Sequence, residues 1–245
     1  MTPERRAGPW GVVRAGYLAH ERDGPLPALL LALTLSTGLI DAMSVLGLGR
    51  VFVANMTGNV VFLGLALVRA PGFSAARTVT ALVGFVAGAF AGGVLARRSP
   101  NRGRALRSAC GIQIVLIAGA IALAAPAPHH LARATQLAVI VSCAVAMGLQ
   151  NATARHLAVP ELATNVLTTS LTRLAADAWR RSGSRGGREL LSVLALFLGA
   201  CLGAVLVVHT SILAPLAGVI VILIVVLVRC QLDLRHDRSW LAPTP

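Results

Sequence analysis

Six apolar runs dominate this chain, at about 27–48, 78–96, 108–126, 134–152, 190–209 and 212–228, each close to the ~20 residues that carry a helix across the hydrocarbon of a bilayer. Helices apolar on every side leave no polar face to turn toward water. The composition closes off the soluble alternative, since 56% of the residues are hydrophobic and only 13% are charged. Lipid must serve as part of the solvent, and the expected fold class is an all-α membrane protein with six transmembrane helices. The remaining length suffices for short loops and one modest tail at each end, and for no separate soluble domain.

Two further segments, at about 55–68 and 162–178, are helix-like but short and rich in Thr and Asn, so spanning is not their natural reading. Arginine placement supplies another. Short loops rich in arginine stay on the cytoplasmic side. Arg97, Arg98, Arg102, Arg104 and Arg107 form one cluster, and Arg173, Arg180, Arg181, Arg185 and Arg188 form a second. The linkers near 127–133 and 209–212 hold one arginine between them, while the N-terminal tail and the C-terminal Arg229, Arg235 and Arg238 are basic. All four basic regions fall inside if both short segments dip into the membrane and return on the same side, as re-entrant helices. That arrangement leaves Arg69 and Arg77 outside. Full crossing by 55–68 would instead carry the 97–107 cluster outside, against the rule. Re-entrant backbone is tolerated only where protein or a wet cavity satisfies its amides, so a protein-lined path is implied. The expected organisation is a cytoplasmic tail over 1–26, one transmembrane domain over 27–230 and a cytoplasmic tail over 231–245.

The formal charge of +13 does not point to nucleic acid, because the positive charge is all arginine and lies in clusters between apolar runs. Nucleic-acid binding needs a continuous basic face, whereas basic loops face anionic lipid headgroups. Membrane lipid is the expected partner and nucleic acid is not. Cys110, Cys143, Cys201 and Cys230 stand singly, without the spacing of a metal or redox site. They read as small buried hydrophobes. No metal or cofactor is expected. The first apolar run is too long, and lacks the small-residue cleavage site, for a removable signal.

The second half of the chain repeats the first at a displacement of about 110 residues with a one-residue slip. Gly38, Leu39, Asp41 and Ala42 lie over Gly148, Leu149, Asn151 and Ala152, and Thr57, Arg69, Arg77, Gly88, Gly92, Val94 and Leu95 lie over Thr168, Arg180, Arg188, Gly199, Gly203, Val205 and Leu206. With three crossings in each copy, repeat 1 at about 27–126 and repeat 2 at about 134–228 enter the membrane in opposite directions. Inverted repeats with short helices meeting near the midplane are the common plan of secondary transporters, although architecture alone does not establish function.

Asp41, in GLIDAMS, is the only acid well inside a confident span. An intramembrane carboxylate is costly and usually functional: here a proton carrier or a cation ligand, or else a structural acceptor for the neighbouring short helix. Asn55, Thr57, Gly58 and Asn59 open the first short segment, and Thr164, Asn165, Thr168 and Thr169 open the second. Such residues cap exposed amides, and the dipole at a helix start attracts an anion or a carbonyl oxygen. With Asp41 and Asn151 they form the candidate site for a substrate or ion, the alternative being capping alone. Gly84, Gly88 and Gly92 share one helix face, repeated by Gly199 and Gly203, and read as helix-packing surfaces. Glycine faces left over from the bundle would suit a homo-oligomer. Gln150, Arg155, His156 and Glu161 read as the solvated end of the fourth long run, with a cytoplasmic gate as the alternative. His129, His130 and His209 fall at external ends. No catalytic motif is present.

The blocks GLIDAMSVLGLGRVFVANMTGN and GLQNATARHLAVPELATNVLT, with a glycine-rich third helix, resemble the YoaK-type family of bacterial multi-pass membrane proteins over about residues 27–230. The resemblance implies an inner-membrane location and no particular activity. The second block has Thr169 where a TG pair is expected, so the two polar tips differ. The leading functional reading is a small-molecule or ion permease with a midplane site. The alternatives are a membrane enzyme or lipid-handling protein, a channel, or a non-catalytic scaffold.

Overall fold

A few residues that cap or break helices set the boundaries of the fold. The computed structural model describes residues 25–157 and 184–235. Helix α1 (Leu26–Gly47) carries Pro27 in its first turn, where a missing N–H is harmless. It ends where Gly49 and Arg50 adopt left-handed backbone, at φ 84° and 55°, and reverse the chain. Asn55 starts α2 (Met56–Leu67) by accepting a hydrogen bond from the Gly58 amide. Ser74 caps α3 (Ala75–Arg98), and Asn101 caps α4 (Arg102–Ala124). Between these two, Pro100 holds Ser99 extended at φ −78° and ψ 132°, so α3 stops and α4 starts almost at once. Then follow α5 (Arg133–His156), α6 (Ser184–His209) and α7 (Leu213–Arg235).

Six of these helices are long and apolar enough to cross a membrane, matching the six runs read from the sequence. The exception, α2, has 12 residues, or about 18 Å of helix. Among the described residues there is no strand. The second short segment, 162–178, lies outside the described residues, as do Thr164, Asn165, Thr168 and Glu161. The arginine cluster at 97–107 differs from the loop expected of it, while Arg173, Arg180 and Arg181 of the other lie outside the described residues. Arg97 and Arg98 form the last turn of α3, and Arg102, Arg104 and Arg107 lie in the first turns of α4. Arginine is a good helix former, and its long stem lies along apolar surface while the charge reaches the interface.

Contacts between helix ends fix the directions of the bundle. Arg77, opening α3, lies against Gly49 at the end of α1, so these helices are antiparallel. Arg102, at the start of α4, donates to the carbonyl of Leu157 just beyond α5. Arg107 donates to Gln231 near the end of α7 at 2.7 Å, and Gly47 meets Ile212 just before α7. Thus α1, α4 and α6 run one way and α3, α5 and α7 the other. One end of the bundle gathers the starts of α1, α4 and α6 with Arg97, Arg98, Arg102, Arg104 and Arg107. The opposite end carries the turns after α1, α2, α4 and α6.

Two parallel pairs run through the bundle, α3 against α5 and α1 against α6. Glycine permits both. A Cβ on Gly88 would collide with the Val145 carbonyl, and one on Gly148 with the Phe85 carbonyl. In the other pair a Cβ on Gly199 would strike the Leu35 carbonyl, and one on Gly38 the Leu196 carbonyl. Gly92 and Gly203 approach Leu149 and Leu39 in the same way, and Gly84 faces Ala144. Where backbones come this close, packing and Cα–H contacts replace the hydrophobic drive that lipid cannot supply. Both glycine faces are therefore occupied within the bundle, which removes them as the basis for a homo-oligomer.

The core centres on α1, with Leu30, Leu33, Ile40 and Met43 enclosed, and on Ile140 and Ala144 of α5. Outward, α3 presents Val83, Val86 and Phe90, and α6 presents Phe197, Leu198, Leu202 and Val205. An apolar outer surface of this extent needs hydrocarbon around it.

Candidate functional site

Asp41 sits in α1, six residues before Gly47, or about 9 Å below the end of the helix. After the left-handed turn at Gly49 and Arg50, the chain returns alongside α1 without helical hydrogen bonds, as residues 51–55, with Val51, Val53 and Ala54 buried. Their amides need acceptors, since lipid offers none. Asp41 Oδ1 accepts from the amides of Val53 at 3.1 Å and Ala54 at 2.8 Å, with the Asn55 amide as a further neighbour. Successive N–H groups converging on one carboxylate form an anion nest, at the positive end of the α2 dipole. Among the described residues no arginine pairs with Asp41. It is also the only acid between residues 25 and 157.

Asn59 completes the arrangement from inside α2. Its Oδ1 accepts from the Phe52 amide at 2.9 Å, and its Nδ2 donates to the Phe52 carbonyl at 2.6 Å. It is fully buried. Asn55 accepts from Gly58 at 3.3 Å. Side chains thus supply the acceptors for the amides of residues 52, 53, 54 and 58, in place of a sheet or helix ladder. Of the tip residues named from the sequence, Asp41, Asn55 and Asn59 are joined in this one device, and Gly58 takes part through its amide. Thr57 differs: it is exposed, and its hydroxyl has no hydrogen-bond partner among the described residues.

The open ends of this excursion are fastened together. Arg50 donates to the Pro71 carbonyl at 3.4 Å, and its guanidinium lies 5.6 Å from the ring centre of Phe73. Phe52 stacks on Phe62 at 5.3 Å, and Phe62 meets Phe73 at 5.0 Å. This aromatic series ties the extended limb to α2 and to the turn beyond it. Sequence reasoning missed it, although three of the chain's six phenylalanines fall between residues 52 and 73. Arg69 has left-handed backbone in the same turn. Arg77 donates to Gln136 at 3.5 Å across α3 and α5.

Asn151, which the sequence comparison lays over Asp41, lies partly buried in α5. Its neighbour Gln150 is not at a solvated end. With only 2% exposure, it donates through Nε2 to Thr37 Oγ1 at 3.0 Å and to the Leu33 carbonyl at 3.2 Å, linking α5 to α1. The reason is length: α5 continues to His156, which places Gln150 nearly two turns inside. Arg155 and His156 are exposed, as expected of a helix end. Gln113, buried in α4, was also missed; its Nε2 and the Gln150 Oε1 have no hydrogen-bond partner among the described residues. Such atoms inside a membrane bundle are costly. Among the described residues no group of His, Cys, Asp or Glu could hold a metal.

Six spanning helices, an apolar outer surface and a short helix anchored on an intramembrane carboxylate define a multi-pass integral membrane protein, surrounded by lipid. The family model described as "Protein of unknown function (DUF1275)" matches residues 29–228, and the chain belongs to that family. It is similar to the UPF0700 transmembrane protein YoaK of Bacillus subtilis (strain 168), at 30% identity over 190 residues covering 73% of this chain and 81% of the relative. No solved structure matches it.

Proposed function

We propose that this protein is a small-molecule or ion permease of the bacterial inner membrane, built from two inverted repeats with a re-entrant helix in each and a polar site near the midplane. The observation that carries the reading is the bond from the Val53 and Ala54 amides to Asp41. It draws the start of α2 about 9 Å below the end of α1, while the Arg50 contacts to Pro71 and Phe73 bring the exit of the excursion back beside its entrance. A half-helix whose positive end opens beside an intramembrane acid is the recurring substrate or ion site of transporters built from inverted repeats.

The repeats are supported by reciprocal packing. Gly38 against Leu196 corresponds to Gly148 against Phe85, Gly199 against Leu35 to Gly88 against Val145, and Gly203 against Leu39 to Gly92 against Leu149. Every correspondence has the displacement of about 110 residues found in the sequence. Each first helix thus packs on the second spanning helix of the other copy, the geometry that lets one pair rock against the other. The arginine-rich bundle end faces the cytoplasm in this reading, with both chain termini. Asp41 anchors the tip, and Thr57 with Asn151 lines the path.

Flux through purified protein tests the reading. Proteoliposomes on a solid-supported membrane would be exposed to protons, sodium, and a panel of small organic cations and anions. At least one should drive a charge movement that Asp41→Asn abolishes while folded protein is recovered at wild-type levels. Silence across the panel, or an unchanged response in Asp41→Asn, would oppose a coupling role for Asp41.

A further inference from the structure

A cavity of about 220 Å³ opens at the arginine-rich end of the bundle, between the end of α3, the start of α4 and the end of α5. Its polar wall is made by Arg97, Ser99, Asn101, Arg102 and His156, and among the described residues no carboxylate lines it. Ala96 and Ala105, being small, leave the space open. We propose that this cavity binds a phosphate group.

Charge and geometry argue for it together. Arg102 is only 9% exposed, and its bond to the carbonyl of Leu157, the residue that caps α5, pins the guanidinium in the wall. Arg97 and His156 are exposed and have no ion-pair partner among the described residues. The Ser99 hydroxyl donates to Leu95, and Asn101 Oδ1 accepts from the Arg104 amide at 2.8 Å, leaving the Asn101 amide nitrogen as a donor. The start of α4, with its positive dipole end, completes the wall. A ligand suited to these donors is compact, anionic and rich in acceptors, which describes a phosphate oxyanion. The cavity lies where apolar spans end, at headgroup depth, where basic pockets between helices receive phospholipid headgroups. A soluble phosphate arriving from the same side would meet the same donors.

The site is at the far end of the bundle from the α2 turn, so it stands or falls independently of the permease reading. The test is thermal unfolding of the purified full chain in nonionic detergent, titrated with short-chain phosphatidylglycerol and separately with inorganic phosphate, with chloride matched for ionic strength. A saturable rise in midpoint is expected with at least one. A response to the lipid alone assigns a headgroup, and a response to inorganic phosphate assigns a free phosphate. Arg97→Gln should weaken apparent affinity by about tenfold, the order expected for one charged hydrogen bond, while Arg98→Gln, next along the helix and outside the cavity wall, should change it less than twofold. Arg102→Gln is less informative because it also releases the end of α5; His156→Gln serves as the second variant and should weaken binding. No saturable shift with either ligand would overturn the proposal, as would equal losses in Arg97→Gln and Arg98→Gln.

Discussion

The Asp41 carboxylate and the Ala54 amide meet at 2.8 Å, joining the deep part of α1 to the chain that leads into α2. The bond gives an intramembrane acid a structural task. It also supplies an acceptor where the bilayer has none.

Asp41→Ala should therefore cost stability directly. It leaves the Val53 and Ala54 amides without an acceptor, at roughly 1–3 kcal/mol for each unsatisfied group. Asp41→Asn keeps an oxygen in the same place and should retain most of that stability. Thermal unfolding in detergent checks the ordering; equal losses for the two variants would show that charge, and not the acceptor, holds the turn.

Gly88→Leu should abolish recoverable folded protein, because the side chain must enter space held by the Val145 backbone. Gly111, in α4, is the control. A Cβ there meets nothing within 4 Å, so Gly111→Ala should raise stability by about 0.5–1 kcal/mol through its helix propensity. Size-exclusion profiles and unfolding midpoints read both outcomes.

Much of this architecture was legible in the sequence. Long apolar runs identify spanning helices because the bilayer sets their length, and all six recur as long helices. The glycine stripe on α3 was visible too. Its partner was not, since nothing local to Gly88 says that it will face Val145 and not another helix. That Asp41 accepts for the neighbouring short segment was one of the two readings, but the groups it takes were hidden for a related reason: they are backbone amides, which every residue carries. Gln150 was misread because the arginine and histidine after it suggested a helix end, whereas α5 runs on through them to His156.

Gln150→Leu should leave stability within about 0.5 kcal/mol of wild type. It removes a buried acceptor that has no partner along with the amide that donates, and the Thr37 hydroxyl keeps its own bond to the Leu33 carbonyl at 2.9 Å. Solute flux in proteoliposomes should fall nonetheless, because a polar atom held in the core at such a cost is expected to serve an occupant. Undiminished flux at normal stability would take Gln150 off the path.

The most direct measurement is cysteine accessibility in intact cells, with the four native cysteines replaced by alanine and single cysteines placed at Pro71, Ala127 and Arg98. These three positions are exposed and lie at defined ends of the bundle. If α2 enters and returns on one side, an impermeant maleimide labels Pro71→Cys and Ala127→Cys from outside, and reaches Arg98→Cys only after the membrane is opened. Labelling of Arg98→Cys from outside, with Pro71→Cys protected, would place the arginine-rich end outside and contradict the orientation on which the permease reading is built.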